Sequence, residues 1–274
     1  MKQRLLFFDV GRIIAIILIV SFHFAVFLRI GTLNSFGFIG TTLFVLISGS
    51  ILEYTHSAIK TTQHLVKFYY HRFIRLYPAY WLSLVLGLIL LPRYLNETLF
   101  QFFLQFSALL LYINNPGVNA INPPGYYIVL IFGLSLLFPF LSEGLKKNSV
   151  LILLFSGIIT AIGYALYFTS PATCPLLWFK PLLLSISPVF PNVMIQIFPF
   201  AFGIFIMQIN RYPKTFYTNS MIFYASSLSY YVFLTHTIFL TNYSKSLFVY
   251  IFLTIISACA IMVCDMWIQK KLPH

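Results

Sequence analysis

Every few dozen residues this chain returns to an apolar run about as long as a bilayer is thick. The runs cover 10–30, 36–53, 76–92, 125–142, 149–169, 193–209, 219–240 and 246–268. A hydrocarbon core of ~30 Å takes about 20 helical residues to cross, and it holds no water to satisfy an open backbone. Such runs have to be helices. The expectation is an all-α, polytopic transmembrane bundle of about eight to ten helices, forming a single integral-membrane domain over 1–274 with no soluble domain. Only 8% of residues are charged, against ~25% in soluble chains, which excludes an ordinary soluble fold.

Charge then orients the runs. There are 17 Lys and Arg against 5 Asp and Glu, a formal net charge of +12. In a soluble protein that excess would suggest nucleic acid. Here the partner is the bilayer, because basic residues gather in cytoplasmic loops; some are also available to anionic substrates or headgroups. Lys2 and Arg4 put the N-terminus inside, and Lys60, Lys67, Arg72 and Arg75 follow after two spans. The later basic positions are Lys146 and Lys147, Arg211 with Lys214, and Lys270 with Lys271. All stay inside only if an even number of crossings separates Arg75 from Lys146. The short apolar stretch 99–113, which carries Gln101 and Gln105, would break that parity as a third crossing. It is therefore expected to be a re-entrant or interfacial helix on the outer side, leaving about eight crossings and both termini cytoplasmic. The first run is too long for a signal peptide and lacks a small-residue cleavage site, so it reads as a retained span. Cys174, Cys259 and Cys264 show no metal-ligand spacing, so no metal site and no disulfide framework are expected.

Within the first run lie two residues that hydrocarbon disfavours, Arg12 and His23. Each ionisable group at the bilayer centre costs about 2.5–3.5 kcal/mol on insertion scales. At ~100° and ~1.5 Å per residue they share nearly one helical face, roughly 16 Å apart. A neutral His23 is suited to act as general base toward an attacking hydroxyl; its bland alternative is a histidine hydrogen-bonded between helices. Arg12 either belongs to that chemistry or pairs with Asp9, three residues earlier, at the membrane boundary.

Three further places carry candidates. Arg72 and Arg75 share a helical face and would clamp a phosphate, or would simply anchor the inner surface beside Tyr77, Tyr80 and Trp81. Ser229 and His236 lie two turns apart in the seventh run, without an obvious acid to complete a triad; His236 reads as a substrate contact or a partner of the His23 site, since the topology puts the two histidines at comparable depth. Ser48 and Gly49 in the second run suit close helix packing, with a pathway-lining role for Ser48 as the alternative. His56, His64, His71 and His274 read as solvated. No acid lies deep in a span; Asp265 comes nearest to that, close to the end of the last run.

Taken in order, four segments resemble a known family. Phe8-Asp9-Val-Gly-Arg12, with ten residues between Arg12 and His23, is similar to the N-terminal signature of membrane-bound acyltransferase family 3. Thr42-Leu-Phe-Val-Leu-Ile-Ser48-Gly49, Arg72-Phe-Ile-Arg75-Leu-Tyr-Pro78-Ala-Tyr-Trp81 and Leu228-Ser-Tyr-Tyr-Val-Phe-Leu-Thr-His236 resemble its later motifs. Thr42 stands where the family often has an acid, and Pro124-Gly-Tyr-Tyr-Ile-Val-Leu-Ile where it often has a Trp and a Glu. The resemblance implies an O-acyltransferase of a bacterial inner membrane. It would move an acyl group, acetyl above all, from cytoplasmic acyl-CoA to a hydroxyl of a surface glycan or lipid-linked acceptor. Acyl-CoA (acetyl-CoA) would be a co-substrate and no cofactor would be permanently bound. Arg72 and Arg75 would hold the donor's phosphates, Arg12 would lie on its path, and His23 would act as base. A carrier or flippase for an anionic or lipid-linked glycan is the competing reading, because inner cations and intramembrane histidines would serve that function too.

Overall fold

A computed structural model describes residues 5–28, 34–56, 59, 61–91, 98–109, 120–168, 190–209, 220–240 and 247–271. Among these there is no strand, and nine helices run in order: α1 Leu6–Phe27, α2 Asn34–His56, α3 Thr62–Leu90, α4 Leu99–Phe106, α5 Gly125–Lys147, α6 Ser149–Phe168, α7 Phe190–Ile209, α8 Ser220–Leu240 and α9 Leu247–Lys271. Six of them (α1, α2, α3, α5, α6 and α9) are long and apolar enough to cross a membrane. The polar side chains of α8, among them Ser226, Ser227, Ser229 and His236, lower its mean hydropathy. The result is a helical membrane bundle with the expected elements in the expected order.

Local sequence explains the boundaries. Thr61 caps α3 by accepting from the His64 amide. Thr98 and Gln101 close a capping box on α4. Asn148 ends α5 and starts α6 by itself: its amide donates to Gly144 O while its side chain accepts from the Leu151 amide. Prolines inside helices remove a donor and orphan a carbonyl four residues back. Pro78 does this to Ile74, and Gln269 of α9 donates to that oxygen at 2.7 Å. Pro199 does it to Ile195, and Thr160 of α6 approaches that oxygen at 3.4 Å.

One end of the bundle is basic. There α1 meets α8 through Asp9 and Ser226, α2 meets α5 through Glu53, Ser142 and Lys146, α7 meets α5 through Gln208, and α9 meets α3 through Gln269. Lys146, Lys147, Lys270 and Lys271 close that end. The elements are tied by backbone proximity as well as polar bonds. A Cβ at Gly49 would overlap the Phe200 carbonyl, and one at Gly203 the Leu46 carbonyl, so α2 and α7 touch backbone to backbone as small residues allow in membranes.

Two boundaries differ from the sequence reading. Residues 62–75, expected in a cytoplasmic loop, are helical and extend α3 to 29 residues. Charge there does not end the helix. The stretch 99–113 contributes only eight helical residues, 99–106, or about 12 Å, too short to cross; 110–113 lie outside the described residues. The three carbonyls that end α4 are taken by aromatic donors of α3: Tyr80 OH on Gln105 O (2.6 Å), Trp81 Nε1 on Phe106 O (2.9 Å) and Tyr77 OH on Ser107 O (3.3 Å). Those donors sit nine to thirteen residues before the end of α3 at Leu90. So α4 turns back onto the side of α3, with the open backbone at its end satisfied by protein.

Candidate active site

A cavity of about 530 Å³ opens between α1, α2, α3, α5, α8 and α9 toward the basic end. Arg12, Ser48, Arg72, Arg75 and Ser229 all line it, so five of the eight residues singled out from sequence meet in one space. Each arrives by a different route. Arg12 is one turn into α1, next to Asp9, with Nη1 at 3.9 Å from Oδ1. Asp9 is 1% exposed and accepts from Ser226 Oγ at 2.6 Å, so it fixes α1 to α8 while balancing the guanidinium. The structural pairing expected for Asp9 is therefore present, and it leaves Arg12 on the cavity wall. Arg72 donates its Nε to Ser135 Oγ at 3.1 Å, which aims its fork inward. Arg75 follows three residues later on the same face. Three guanidiniums around one space make a site for a multiply charged anion, since each presents a planar pair of donors.

Further side chains belong to this wall. Asp265, set aside in the sequence as a residue near a helix end, is 4% exposed, lines the cavity and accepts from Tyr231 OH at 2.8 Å. His71, read as solvated, lines it too. Helical continuation of 62–75 is what turns His71 inward. Tyr127 and Phe233 pack at 4.9 Å centroid to centroid, with Phe44 beside both, and close the cavity at the end away from the lysines. No sequence signal separates these aromatics from the other apolar residues of their helices. His56 and His64 stay away from the cavity, His56 against Phe68 and His64 exposed at the start of α3. His274 lies outside the described residues.

Beyond the aromatic closure sit the histidines. His23 and His236 have ring centroids 4.9 Å apart, and Phe233 touches both the cavity and His236, at 5.9 Å. The comparable depth inferred from topology is thus direct contact between α1 and α8. His236 is 0% exposed, and its Nδ1 lies 2.8 Å from Phe233 O. A carbonyl can only accept, so Nδ1 carries the hydrogen and Nε2 the lone pair. Ser229 and His236 do not form a nucleophilic pair: Ser229 Oγ donates to Ser226 O at 2.6 Å and belongs to the cavity, not to the histidines. Thr42, at the position where the resemblance led one to look for an acid, receives a hydrogen bond from Gln196 of α7 at 3.3 Å. Among the described residues, no group of three His, Cys, Asp or Glu could hold a metal.

No curated protein and no solved structure matches the chain. A family described as an acyltransferase domain matches residues 5–272, which covers α1 to α9 and every residue of this site. Helices fit for a bilayer, the motif residues gathered at one cavity and a match over nearly the whole length lead to one conclusion: this chain belongs to acyltransferase family 3 and is a membrane acyltransferase.

Proposed function

We propose that the protein transfers an acyl group, acetyl in the simplest case, from cytoplasmic acyl-CoA to a hydroxyl of a surface glycan or lipid-linked acceptor. Eight helices would cross the membrane with the basic end in the cytoplasm. The observation that carries this reading is the arrangement of Arg12, Arg72 and Arg75 around a cavity whose closed end abuts the His23–His236 pair. The arginines are suited to the phosphates of the donor. Its acyl-bearing arm would then extend past Phe233 toward the histidines. His23 takes the proton of the acceptor hydroxyl as the oxygen attacks the thioester carbonyl. A C–O bond forms, the C–S bond breaks, and the proton passes from the imidazolium to the departing CoA sulfur. Exclusion of water around the rings favours transfer over hydrolysis.

General-base catalysis contributes typically 10²–10⁴-fold. His23→Ala is therefore expected to lower acetyl-CoA turnover by the purified protein at least ~100-fold, while its elution on size exclusion in detergent stays that of the parent. Full turnover in His23→Ala would remove His23 from the chemistry. Comparing the masses of surface glycans with and without the protein identifies the transferred group and the acceptor together.

A further inference from the structure

One charged side chain of the cavity has no part in the transfer chemistry. Asp265 of α9 is 4% exposed and lines the same space as Arg12, Arg72 and Arg75. A carboxylate repels the phosphates that those arginines are suited to hold, so an acid in the wall of an anion site needs a reason. Its place is fixed from two helices. Tyr231 OH of α8 donates to Oδ2 at 2.8 Å, and Gln269 Nε2, one turn further along α9, lies 3.4 Å from Oδ1. The same Gln269 nitrogen donates to Ile74 O at 2.7 Å, and Tyr230 OH of α8 donates to Leu76 O at 2.8 Å. The carbonyls on either side of Arg75 are thus held from α9 and α8, and one side chain ties the carboxylate to the residue next to Arg75. Arg75 is near enough for its charge to act on Asp265. Asp9 has a similar relation to Arg12: a buried carboxylate takes a hydroxyl hydrogen of α8, Ser226 there and Tyr231 here, in the neighbourhood of a cavity guanidinium. Of the two acids, it is Asp265 that lines the cavity.

We propose that Asp265 is the resident counter-anion of the donor site. It offsets the charge of Arg75 between turnovers and opposes the phosphates of a bound donor, which holds down the affinity for that donor and for the CoA left after transfer. Donor and product carry the same phosphates, so an anion site without this acid would bind both more tightly and release the product more slowly. This rests on the acyl-CoA reading above. Asp265 acts through the charge it places beside Arg75, not on the reacting atoms.

The test is the dissociation constant of CoA, measured by isothermal titration calorimetry on the full-length protein in detergent and on its Asp265→Asn variant. Asparagine keeps the size and an acceptor for Tyr231 while removing the charge. Asp265→Asn should bind CoA about tenfold or more tightly. Pantetheine, the arm of the donor without its phosphates, is uncharged and should gain less than about twofold. Equal or weaker binding of CoA by Asp265→Asn overturns the proposal, and so does a gain for pantetheine as large as that for CoA. Tyr231→Phe keeps the carboxylate and takes away one of its hydrogen bonds. If it tightens CoA as Asp265→Asn does, the effect is a loosened contact between α8 and α9, and the proposal fails. Inorganic pyrophosphate is titrated in parallel. A parent protein that binds pyrophosphate but not CoA overturns the acyl-CoA reading; the role of Asp265 is then decided on pyrophosphate, whose affinity must rise in Asp265→Asn. A parent that binds neither anion overturns both.

Discussion

At the scale of single residues, the spacing between Arg12 and His23 carried most of the information. Two ionisable groups on one face of a hydrophobic helix need a reason, and the structure supplies neighbours for both, Asp9 and the cavity for one and His236 for the other. Serines were ambiguous because a hydroxyl in a membrane helix can bond its own backbone at no cost in sequence pattern. Ser229 does so, and a substitution at that position separates the two readings. Ser229→Ala should reduce kcat/KM less than about tenfold, whereas an acyl-serine mechanism would require a loss of ~10⁴ or more. A trapped acyl adduct on Ser229, found by mass spectrometry after mixing with acetyl-CoA, would contradict this expectation. The burial of Asn122 could not be found from sequence. Asn-Pro-Pro-Gly reads as an exposed turn by every local rule, and only tertiary structure reveals that Asn122 is 2% exposed, with its Nδ2 donating to Ser83 Oγ at 2.7 Å and to Leu234 O at 2.9 Å. Asp265 was passed over for a related reason: its distance from the end of a run was visible, its contact with Tyr231 was not.

At the scale of elements, long apolar runs were legible to within about five residues outside the start of α3, because a bilayer sets their length from outside. The extension of α3 was not. Its first four turns carry Lys67, His71, Arg72 and Arg75, and a hydropathy argument ends where charge begins although the helix does not. The parity of the basic loops led to the expectation that 99–113 does not cross; the eight helical residues of α4 are too few to span a bilayer by themselves, and 110–113 lie outside the described residues. What parity could not foresee is how a segment so short is held. Tyr77, Tyr80 and Trp81, readable beforehand as an interfacial belt, instead donate into the end of α4. Tyr80→Phe strips the donor from a buried carbonyl and should lower stability by about 1–2 kcal/mol, seen as a fall in the thermal midpoint in detergent. An unchanged midpoint would mean that the carbonyl finds another partner at no cost.

At the scale of the whole molecule, the basic ends of α3, α5 and α9 share one face of the bundle, and the site is built across its axis rather than on any one helix. A positive-inside orientation then makes a simple demand on chemistry from outside. With the native cysteines replaced by serine, Lys147→Cys and Lys271→Cys should react with a membrane-impermeant maleimide only in opened cells. Leu99→Cys, at the 87% exposed start of α4, should react in intact ones. Labelling of Leu99→Cys from the same side as Lys147→Cys would refute the re-entrant topology.

The bond from Asn122 to the Leu234 carbonyl spans 112 positions of sequence, and that separation bears on how the protein is made. The aromatic donors that receive α4 belong to α3 and are already synthesised when α4 emerges, so that contact can form at once. The far end of the turn has no such luck: its anchor on α8 arrives roughly 5–20 s later at ordinary rates of translation. During that interval the turn is held from one side, by Ser83 of α3 and by Gln105 next to it. The α8 side of the cavity is therefore finished last, when the penultimate helix enters, and a ribosome stalled before α8 would leave a chain that lacks that wall.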